Sequence, residues 1–352
     1  MGETRSPRET GPVGMTRSPR GTGPVGKTKQ RLSVFVASTF LDEVRAEFDE
    51  AFDARFHDGA LGEDPLEVLR AESERGAHFD VLLFSLDVEM GDAQLNRLPA
   101  SVRALATYSV GTDHVDLDAA QRRGLVVFNT PGVLADSVAE NAIFLMLGAA
   151  RRATESLELI RGRRWAGWTP TQLVGVQLAG RTLGVLGMGD IGGRIATRAH
   201  ALGMEILYCN RRPADSDLFG AGYRSSAAAL VADCDVLMIA CPSTDQTRGL
   251  VDAALLAQAR PGLLVVNIAR GDIVEDDALI EALVEGRVRA AGLDVFAGEP
   301  AVDDRYFDLP NVFMLPHIGS STLEARLGMG RILIQGLQDW SAGQSASNRV
   351  DP

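Results

Sequence analysis

The sequence predicts an α/β fold built from two doubly wound parallel sheets. Two series of short, buried apolar segments alternate with stretches of helical periodicity, one from Leu32 and the other from Thr182. Strands that alternate with helices form parallel sheets, because each helix carries the chain back to the start of the next strand. With 352 residues and a hydrophobic content of 45%, the chain suits two such domains better than one.

The segment before the first series is different in composition. A twelve-residue repeat, TRSPRETGPVGM followed by TRSPRGTGPVGK, occupies residues 4–27. It is rich in Pro, Gly, Ser, Thr and Arg and has no apolar periodicity, which predicts a disordered tail over residues 1–30. Two interpretations stay open: an arm for an anionic partner or for targeting, and an extension without a function.

The first alternating series predicts the first sheet and a long helix after it. Strands are expected at LSVFVAS (32–38), VLLFS (81–85), RALATYS (103–109) and LVVFN (125–129), and a helix at LDEVRAEFDEAF (41–52). The long helix is expected to begin near Ser137, because Ser137 and Glu140 have the spacing of a capping box. It carries the apolar run AIFLMLGAA toward Arg151.

The second series predicts a complete sheet of its own. Its strands are expected at 182–187, 205–210, 235–241, 263–269, 290–296 and 312–316. Helical stretches separate the earlier members, at 191–202, 253–259 and 276–286. A last helix, from Ser320 to Trp340, is expected to return to the first domain.

Composition excludes several classes of partner. The net charge of −12 argues against nucleic acid and anionic membranes, since both require clustered positive charge. Cys209, Cys234 and Cys241 form no CxxC pair, so we expect no metal site and no disulfide framework, and a reducing cytoplasm is favoured. The longest apolar run, 142–150, is too short to span a bilayer, and no signal peptide is visible.

A glycine-rich fingerprint at the start of the second series predicts a dinucleotide site. It matches GxGxxG and consists of Gly187, Met188, Gly189, Asp190, Ile191 and Gly192. The match follows a strand and opens a helix, which is the context that gives it meaning. The three glycines are expected to permit a tight turn, the approach of a pyrophosphate and close helix packing, while the helix N-terminus offers free amides. A glycine-rich turn without a ligand is the alternative.

The end of the next strand bears on the choice of cofactor. In NAD-binding folds of this type an acidic residue about 20 positions past the glycines bonds the ribose 2′-hydroxyl. This chain has Asn210 there, followed by Arg211 and Arg212. Asn210 can still bond the ribose, and a guanidinium can pair with a 2′-phosphate that no carboxylate repels. We therefore expect NADPH to be preferred, with NAD possible. The alternative is that both arginines are solvated loop charges.

Three chemically capable residues follow strands of the second series. They are Arg270, Glu299 and His317. Since ligands of open parallel sheets bind outside the carboxyl ends of strands, we expect the three to converge on one crevice. Reduction of a 2-oxo acid would use His317 as the proton donor, Glu299 as its partner and Arg270 to grip the carboxylate. Taken singly, the histidine could be structural and the two charges solvated.

Longer segments carry a family resemblance. NIARGDIVEDDALIEAL, AAGLDVFAGEP and LPHIGSST resemble the signature segments of the D-isomer-specific 2-hydroxyacid dehydrogenases, and the likeness extends over roughly residues 32–350. It implies that the matching Arg270, Glu299 and His317 are catalytic. It also implies an inserted architecture, in which a Rossmann-like cofactor domain (131–317) interrupts a flavodoxin-like substrate domain (31–130 and 318–352).

The same resemblance supplies further site residues. The loop of Ser109, Val110 and Gly111 would bind the substrate carboxylate with backbone amides, and Asp294 would hold the nicotinamide carboxamide. It adds Ser320 to the substrate site, and it adds to the cofactor site Cys241, Pro242, Thr247 and Ala269.

Within the family, RRWAGWTPTQLVG and ASNRV look most like the glyoxylate/hydroxypyruvate reductases. This implies a homodimer in which Trp168 reaches the neighbouring active site; packing within the dimer interface is the alternative. The chain departs from the family at Asp190, a carboxylate near the expected pyrophosphate, and at Ala135, where a Thr is common.

Three functions are weighed for this architecture. The first is NADPH-preferring reduction of glyoxylate and hydroxypyruvate, or of another 2-oxo acid. The second is a non-enzymatic dinucleotide sensor, because regulatory proteins of this fold keep the same three residues. The third, formate oxidation, is disfavoured because that branch has Gln where this chain has Glu299.

Overall fold

The computed structural model describes residues 31–57, 63–214 and 220–350. The tail expected over residues 1–30 lies outside the described residues. The described residues from Leu32 onward form one compact unit. The strands are β1 Ser33–Val36, β2 Asp53–Phe56, β3 Val81–Phe84, β4 Ala104–Thr107, β5 Val126–Phe128, β6 Thr182–Leu186, β7 Glu205–Cys209, β8 Gly222–Arg224, β9 Val236–Ile239, β10 Leu263–Asn267, β11 Val288–Leu293, β12 Val312–Met314 and β13 Arg349–Val350.

Helices separate most of these strands. They are α1 Asp42–Ala51, α2 Pro65–Glu74, α3 Asp92–Leu95, α4 Leu117–Arg122, α5 Ala135–Ala150, α6 Ala153–Arg161, α7 Asp190–Ala201, α8 Ala227–Asp233, α9 Ala253–Leu256, α10 Asp276–Val284 and α11 Leu323–Ser341. Among the described helices, none combines the length and apolar character needed to cross a membrane.

Two sheets organise the unit, and both have the order of a doubly wound fold. The first runs β13-β5-β4-β3-β1-β2, and every pair in it is parallel except β13 with β5. The second runs β12-β11-β10-β9-β6-β7-β8 and is wholly parallel. These are the flavodoxin-like and Rossmann-like orders, so the predicted fold class is confirmed.

Two long helices connect the sheets. The buried side of α5, with Ala142, Leu145 and Met146, joins the same apolar core as strands of both sheets. α11 packs on α1 of the first half, where Arg331 pairs with Glu47. Segments that precede and follow the second sheet in the chain therefore pack around one shared apolar core.

The beginnings of both long helices differ from the sequence expectation. α5 begins at Ala135, so Ser137 is inside the helix and the predicted capping box is wrong. The Ser137 hydroxyl instead donates to the Gly319 carbonyl at 2.7 Å, and both residues are buried. α11 begins at Leu323 rather than Ser320, because the Thr322 side chain caps it by accepting from the Ala325 amide.

Several strands of the second sheet end earlier than predicted. β9 ends at Ile239, β10 at Asn267, β11 at Leu293 and β12 at Met314. The following residues leave the ladder as loops at the carboxyl edge of the sheet. Arg270, Glu299 and His317, the predicted catalytic residues, lie on these loops.

Candidate active site

A cleft of about 450 Å³ lies at the carboxyl ends of strands from both sheets. Its lining includes the predicted residues Val110, Gly111, Ile191, Cys241, Pro242, Ala269, Arg270, Asp294, His317 and Ser320. The predicted residues outside that lining are Trp168, Gly187, Met188, Gly189, Asp190, Gly192, Asn210, Arg211, Arg212, Thr247 and Glu299. The structure thus brings Arg270 and His317 together in one cleft, with Glu299 behind His317.

Arg270 is held by a carboxylate from the other sheet. Its Nε donates to Asp113 Oδ2 at 2.8 Å and its Nη2 to Asp113 Oδ1 at 2.9 Å. Its Nη1 donates to the Ala269 carbonyl at 2.7 Å. Of the five N–H groups of a guanidinium, one on each terminal nitrogen is left without an acceptor among the described residues. Burial alone would raise the pKa of Asp113, but the hydrogen bond and charge of Arg270 bring that pKa below its ordinary value.

The loop after β4 lies directly against this arginine. A Cβ on Gly111 would lie 2.1 Å from Arg270 Nη2 and 2.7 Å from Asp113 Oδ1, so a larger residue there would displace this ion pair. The Gly111 carbonyl accepts from the Ser109 hydroxyl at 2.6 Å, and the Val110 carbonyl accepts from Asn129 at 2.8 Å. The two backbone carbonyls are thus engaged. The amides of Val110 and Gly111, by contrast, have no acceptor among the described residues. The loop therefore presents two N–H donors beside a guanidinium.

His317 is oriented by Glu299. The Nδ1 atom of His317 hydrogen-bonds Glu299 Oε1, and Glu299 Oε2 accepts from the Phe296 amide at 3.2 Å. Burial would raise the pKa of Glu299, yet the hydrogen bond and charge of His317 lower it below the ordinary value. The carboxylate therefore fixes the orientation of the imidazole ring. Since Nδ1 is occupied, Nε2 is the nitrogen left for a ligand.

The backbone of His317 is also fixed. Its φ of 51° lies in the left-handed region, which non-glycine residues rarely adopt. Asp294, buried to 1% exposure, holds the loop, since its oxygens accept the amides of Ile318 and Gly319 at 2.9 and 2.8 Å. The residue that the resemblance assigns to the carboxamide thus also supports the histidine loop.

A second histidine close by has no such role. His114 is 5% exposed, and its Nε2 lies 2.8 Å from the Thr107 hydroxyl. Burial lowers the pKa of His114 to about 4, so this imidazole is neutral near pH 7. It cannot serve as a proton donor to the cleft.

The fingerprint has the shape of a phosphate cradle. Gly187 has a φ of +104°, and a Cβ there would lie 2.6 Å from the Cys241 amide. A Cβ on Gly192 would lie 2.1 Å from the Gly187 carbonyl, so the first turn of α7 packs directly on the strand end. Nothing lies within 4 Å of a Cβ on Gly189, which leaves open space before the helix N-terminus. The three positions fit the roles expected for a dinucleotide fingerprint.

Two polar residues at the fingerprint have partners within the chain. Asp190 pairs with Arg194 at 2.9 Å on its own helix, which offsets the unfavourable carboxylate. The Asn210 side chain accepts from the Met188 amide at 2.6 Å and donates to the Met188 carbonyl at 3.2 Å. Asn210 therefore braces the turn, and its second amide N–H has no acceptor among the described residues.

The other predicted cofactor residues lie around the same sheet edge. Arg211 and Arg212 are exposed directly after β7. The Thr247 hydroxyl donates to the Pro242 carbonyl at 2.7 Å and so closes the turn after β9. Trp168 is 79% exposed and lies apart from the cleft of its own chain.

Several cleft residues were not anticipated from the sequence, among them Tyr108, Asp113 and Arg326. The Tyr108 hydroxyl donates to the Arg326 carbonyl, which joins the end of β4 to the first turns of α11. Asp113 lies on a loop and Arg326 on a helix remote in sequence. The only sequence signal was the polar segment that follows β4.

Comparison with known proteins agrees with this geometry. The model of the D-isomer specific 2-hydroxyacid dehydrogenase NAD binding domain matches residues 143–319. A glycerate dehydrogenase of Hyphomicrobium methylovorum is 39% identical over 80% of this chain and 87% of its own length. A glyoxylate reductase of Thermococcus litoralis is 36% identical over 84% of this chain and 91% of its own.

A solved structure is similar over most of the chain. It is an NADPH-dependent glyoxylate/hydroxypyruvate reductase of Sinorhizobium meliloti in complex with NADP and malonate. The two structures superpose with a TM-score of 0.81 at 30% identity, covering 91% of this chain and 97% of that one.

Proposed function

This chain belongs to the D-isomer-specific 2-hydroxyacid dehydrogenases, and on that basis we propose that it reduces glyoxylate and hydroxypyruvate with NADPH, His317 acting as general acid. The family and the general reaction, hydride transfer between a nicotinamide dinucleotide and a small 2-hydroxy or 2-oxo acid, follow from the comparisons. The observation that carries the proposal is the Glu299-held imidazole of His317 in the same cleft as Arg270.

The substrate carboxylate is assigned to the Gly111 side of the cleft. Free amides of Val110 and Gly111 and two free N–H groups of Arg270 offer donors there, and charge-assisted bonds of this kind are strong. Asp113 keeps the guanidinium side-on, so its terminal N–H groups remain for the ligand. The same arginine can polarise the carbonyl that is reduced.

The proton is assigned to Nε2 of His317. Glu299 fixes the ring through Nδ1, which leaves Nε2–H for the carbonyl oxygen. As the oxygen gains charge, the imidazolium transfers its proton and the Glu299 carboxylate remains ionised. Asp294 keeps the histidine loop in its left-handed turn during this step.

The cofactor site is assigned to the fingerprint and the loops beside it. When bound, the dinucleotide supplies the hydride. The open space at Gly189 and the N-terminus of α7 suit a pyrophosphate. Arg211 and Arg212 are exposed after β7 and would receive a 2′-phosphate, which supports NADPH over NADH.

Assembly and boundaries are part of the same proposal. Exposed apolar side chains lie on neighbouring helices α5 and α6 and on the segment after them, where a partner subunit would cover them. They are Phe144, Leu147, Leu157, Ile160, Trp165, Trp168 and Val174. We assign a homodimer to this surface, a cofactor domain to residues 131–317, and the cytoplasm as location.

Steady-state kinetics with NADPH and NADH test the proposal. Glyoxylate and hydroxypyruvate should be turned over, with NADPH the better cofactor. Arg211→Gln with Arg212→Gln should raise the KM for NADPH about tenfold or more, because two charge-assisted contacts are lost, and should scarcely change that for NADH. Arg248→Gln, an exposed arginine paired with Asp272, is the matched control. Binding of NADPH without turnover of any 2-oxo acid would instead favour a sensor.

A further inference from the structure

Arg326 is the arginine of the cleft without a counter-ion. Arg326 lines the cleft and is half-buried, and its guanidinium donates one hydrogen bond, from Nη2 to the Ser321 hydroxyl at 3.0 Å. No described carboxylate lies within ion-pair distance of it. Burial lowers the pKa of Arg326, although an arginine stays protonated near neutral pH. A desolvated cation with four unused N–H groups is costly to leave unpaired.

The other charged groups of the cleft are already balanced. Arg270 is paired with Asp113, and His317 with Glu299. The oxygens of Asp294 each accept a backbone amide. Tyr108 cannot supply a negative charge, since burial raises the pKa of its phenol to about 12. Among the charged groups of the described cleft, Arg326 is therefore the cation whose charge no neighbouring carboxylate balances.

The position of Arg326 separates it from the carboxylate end. Its guanidinium carbon is 6.0 Å from the centre of the Tyr108 ring. Arg270, by contrast, lies against Gly111. Tyr108 and Gly111 are three residues apart, a span of at most about 10 Å. Gly111 and Arg326 line the same cleft, so a small acid held at Gly111 occupies the space that Arg326 borders.

We infer that Arg326 forms a subsite for an oxygen-bearing substituent at C3 of the substrate, so that a hydroxyl or carboxylate there is recognised. This inference rests on the proposed function and narrows its substrate class. Hydroxypyruvate has the group that Arg326 recognises, whereas glyoxylate has no C3. Arg326 is then a specificity-determining residue and Arg270 the residue for the carboxylate that all substrates share.

The specificity ratio between two substrates tests the subsite. The measured quantity is kcat/KM for hydroxypyruvate divided by kcat/KM for glyoxylate. In Arg326→Gln this ratio should fall about ten- to hundred-fold, as expected for loss of a charge-assisted hydrogen bond. Arg326→Lys should lose less, because it keeps the charge. Arg331→Gln, on the same helix but paired with Glu47 away from the cleft, should leave the ratio unchanged.

Two outcomes would overturn the inference. If hydroxypyruvate and glyoxylate lose efficiency equally in Arg326→Gln, the residue reads the shared carboxylate or holds the fold, and no C3 subsite exists. If neither changes, Arg326 does not contact the substrate. A melting temperature for each variant identifies a folding defect.

A binding experiment keeps the subsite separate from the proposed activity. If the wild type reduces no 2-oxo acid, the proposed function fails, yet the subsite is still measurable by calorimetry on the full chain with NADPH. Tartronate, which has a carboxylate at C3, should bind more tightly than glycolate, which has no C3. Arg326→Gln should remove that advantage. An advantage that persists in the variant contradicts the subsite.

Discussion

At the scale of single residues, each reactive group of the cleft is fixed by an acid. His317 is held by Glu299 and Arg270 by Asp113. The sequence predicted the first pair, because strand ends of one sheet converge. It could not predict the second pair. Asp113 and Arg270 are 157 positions apart in the chain and meet only where the two sheets approach each other. Arg326 was not predicted for the same reason, because it contacts Tyr108 across 218 positions of the chain.

Replacement of His317 tests the proton donor. His317→Ala should lower kcat for glyoxylate reduction by about 10²–10⁴-fold, the usual contribution of a positioned general acid. Stopped-flow or steady-state absorbance of the reduced cofactor measures it. His78→Ala is the matched control. His78 is an exposed histidine paired with Asp80, and it is far from His317 in the chain. Wild-type turnover in His317→Ala would remove this residue from the mechanism.

Replacement of Asp113 tests the orientation of Arg270. Asp113→Asn keeps the shape but removes the charge that holds the guanidinium side-on. We expect the KM for 2-oxo acids to rise about tenfold, with a smaller change in kcat, because one charge-assisted contact is worth about 1.5–3 kcal/mol. Asp118→Asn, an exposed aspartate on α4, is the control. An unchanged KM would mean that Arg270 is positioned by Ala269 alone.

At the scale of elements, apolar strands were predictable, including the edge strand β12, but three other edge strands of the described sheets were not. The central strands of both sheets are buried on both faces and read as apolar runs. The edge strands β2, β8 and β13 have the sequences DARF, GYR and RV, which are short and partly exposed. Their pairing is decided by a neighbouring strand rather than by their own periodicity. α2 has a local signal in the sequence, because Asp64 caps its N-terminus directly before Pro65.

The start of α5 gives a stability test. Ser137→Ala should lower the free energy of unfolding by about 1–3 kcal/mol, because it leaves the buried Gly319 carbonyl without its donor. Urea denaturation measures the change. A capping box would make Glu140 equally important for stability. Glu140 is instead exposed, and its ion pair with Arg198 is long, at 3.6 Å. Glu140→Gln should therefore cost little; equal losses in the two variants would restore the capping interpretation.

At the scale of the whole molecule, one group of apolar side chains remains exposed on the described surface. The apolar side chains on α5, α6 and the segment to Val174 are exposed, and we propose that a second copy of the chain covers them. The sequence predicted a role for Trp168 but could not define this surface, because burial on an interface leaves no periodic signal in an irregular segment. The cleft itself is formed within a single chain.

The dimer proposal joins this surface to substrate selection. Ile160, 57% exposed on α6, should become a buried apolar contact in the dimer, so Ile160→Asp should shift the protein to a monomer in sedimentation velocity. Phe307→Asp is the matched control, since Phe307 is 63% exposed on a different segment and should leave assembly unchanged. If Trp168 reaches the neighbouring cleft, Trp168→Ala in the dimer should weaken selectivity for glyoxylate and hydroxypyruvate over bulkier 2-oxo acids. The Ile160→Asp monomer should lose selectivity in the same direction, because it removes the partner's tryptophan without altering its own cleft. A monomer that kept wild-type selectivity would show that Trp168 packs only in the interface, and a wild type that is already monomeric would contradict the dimer.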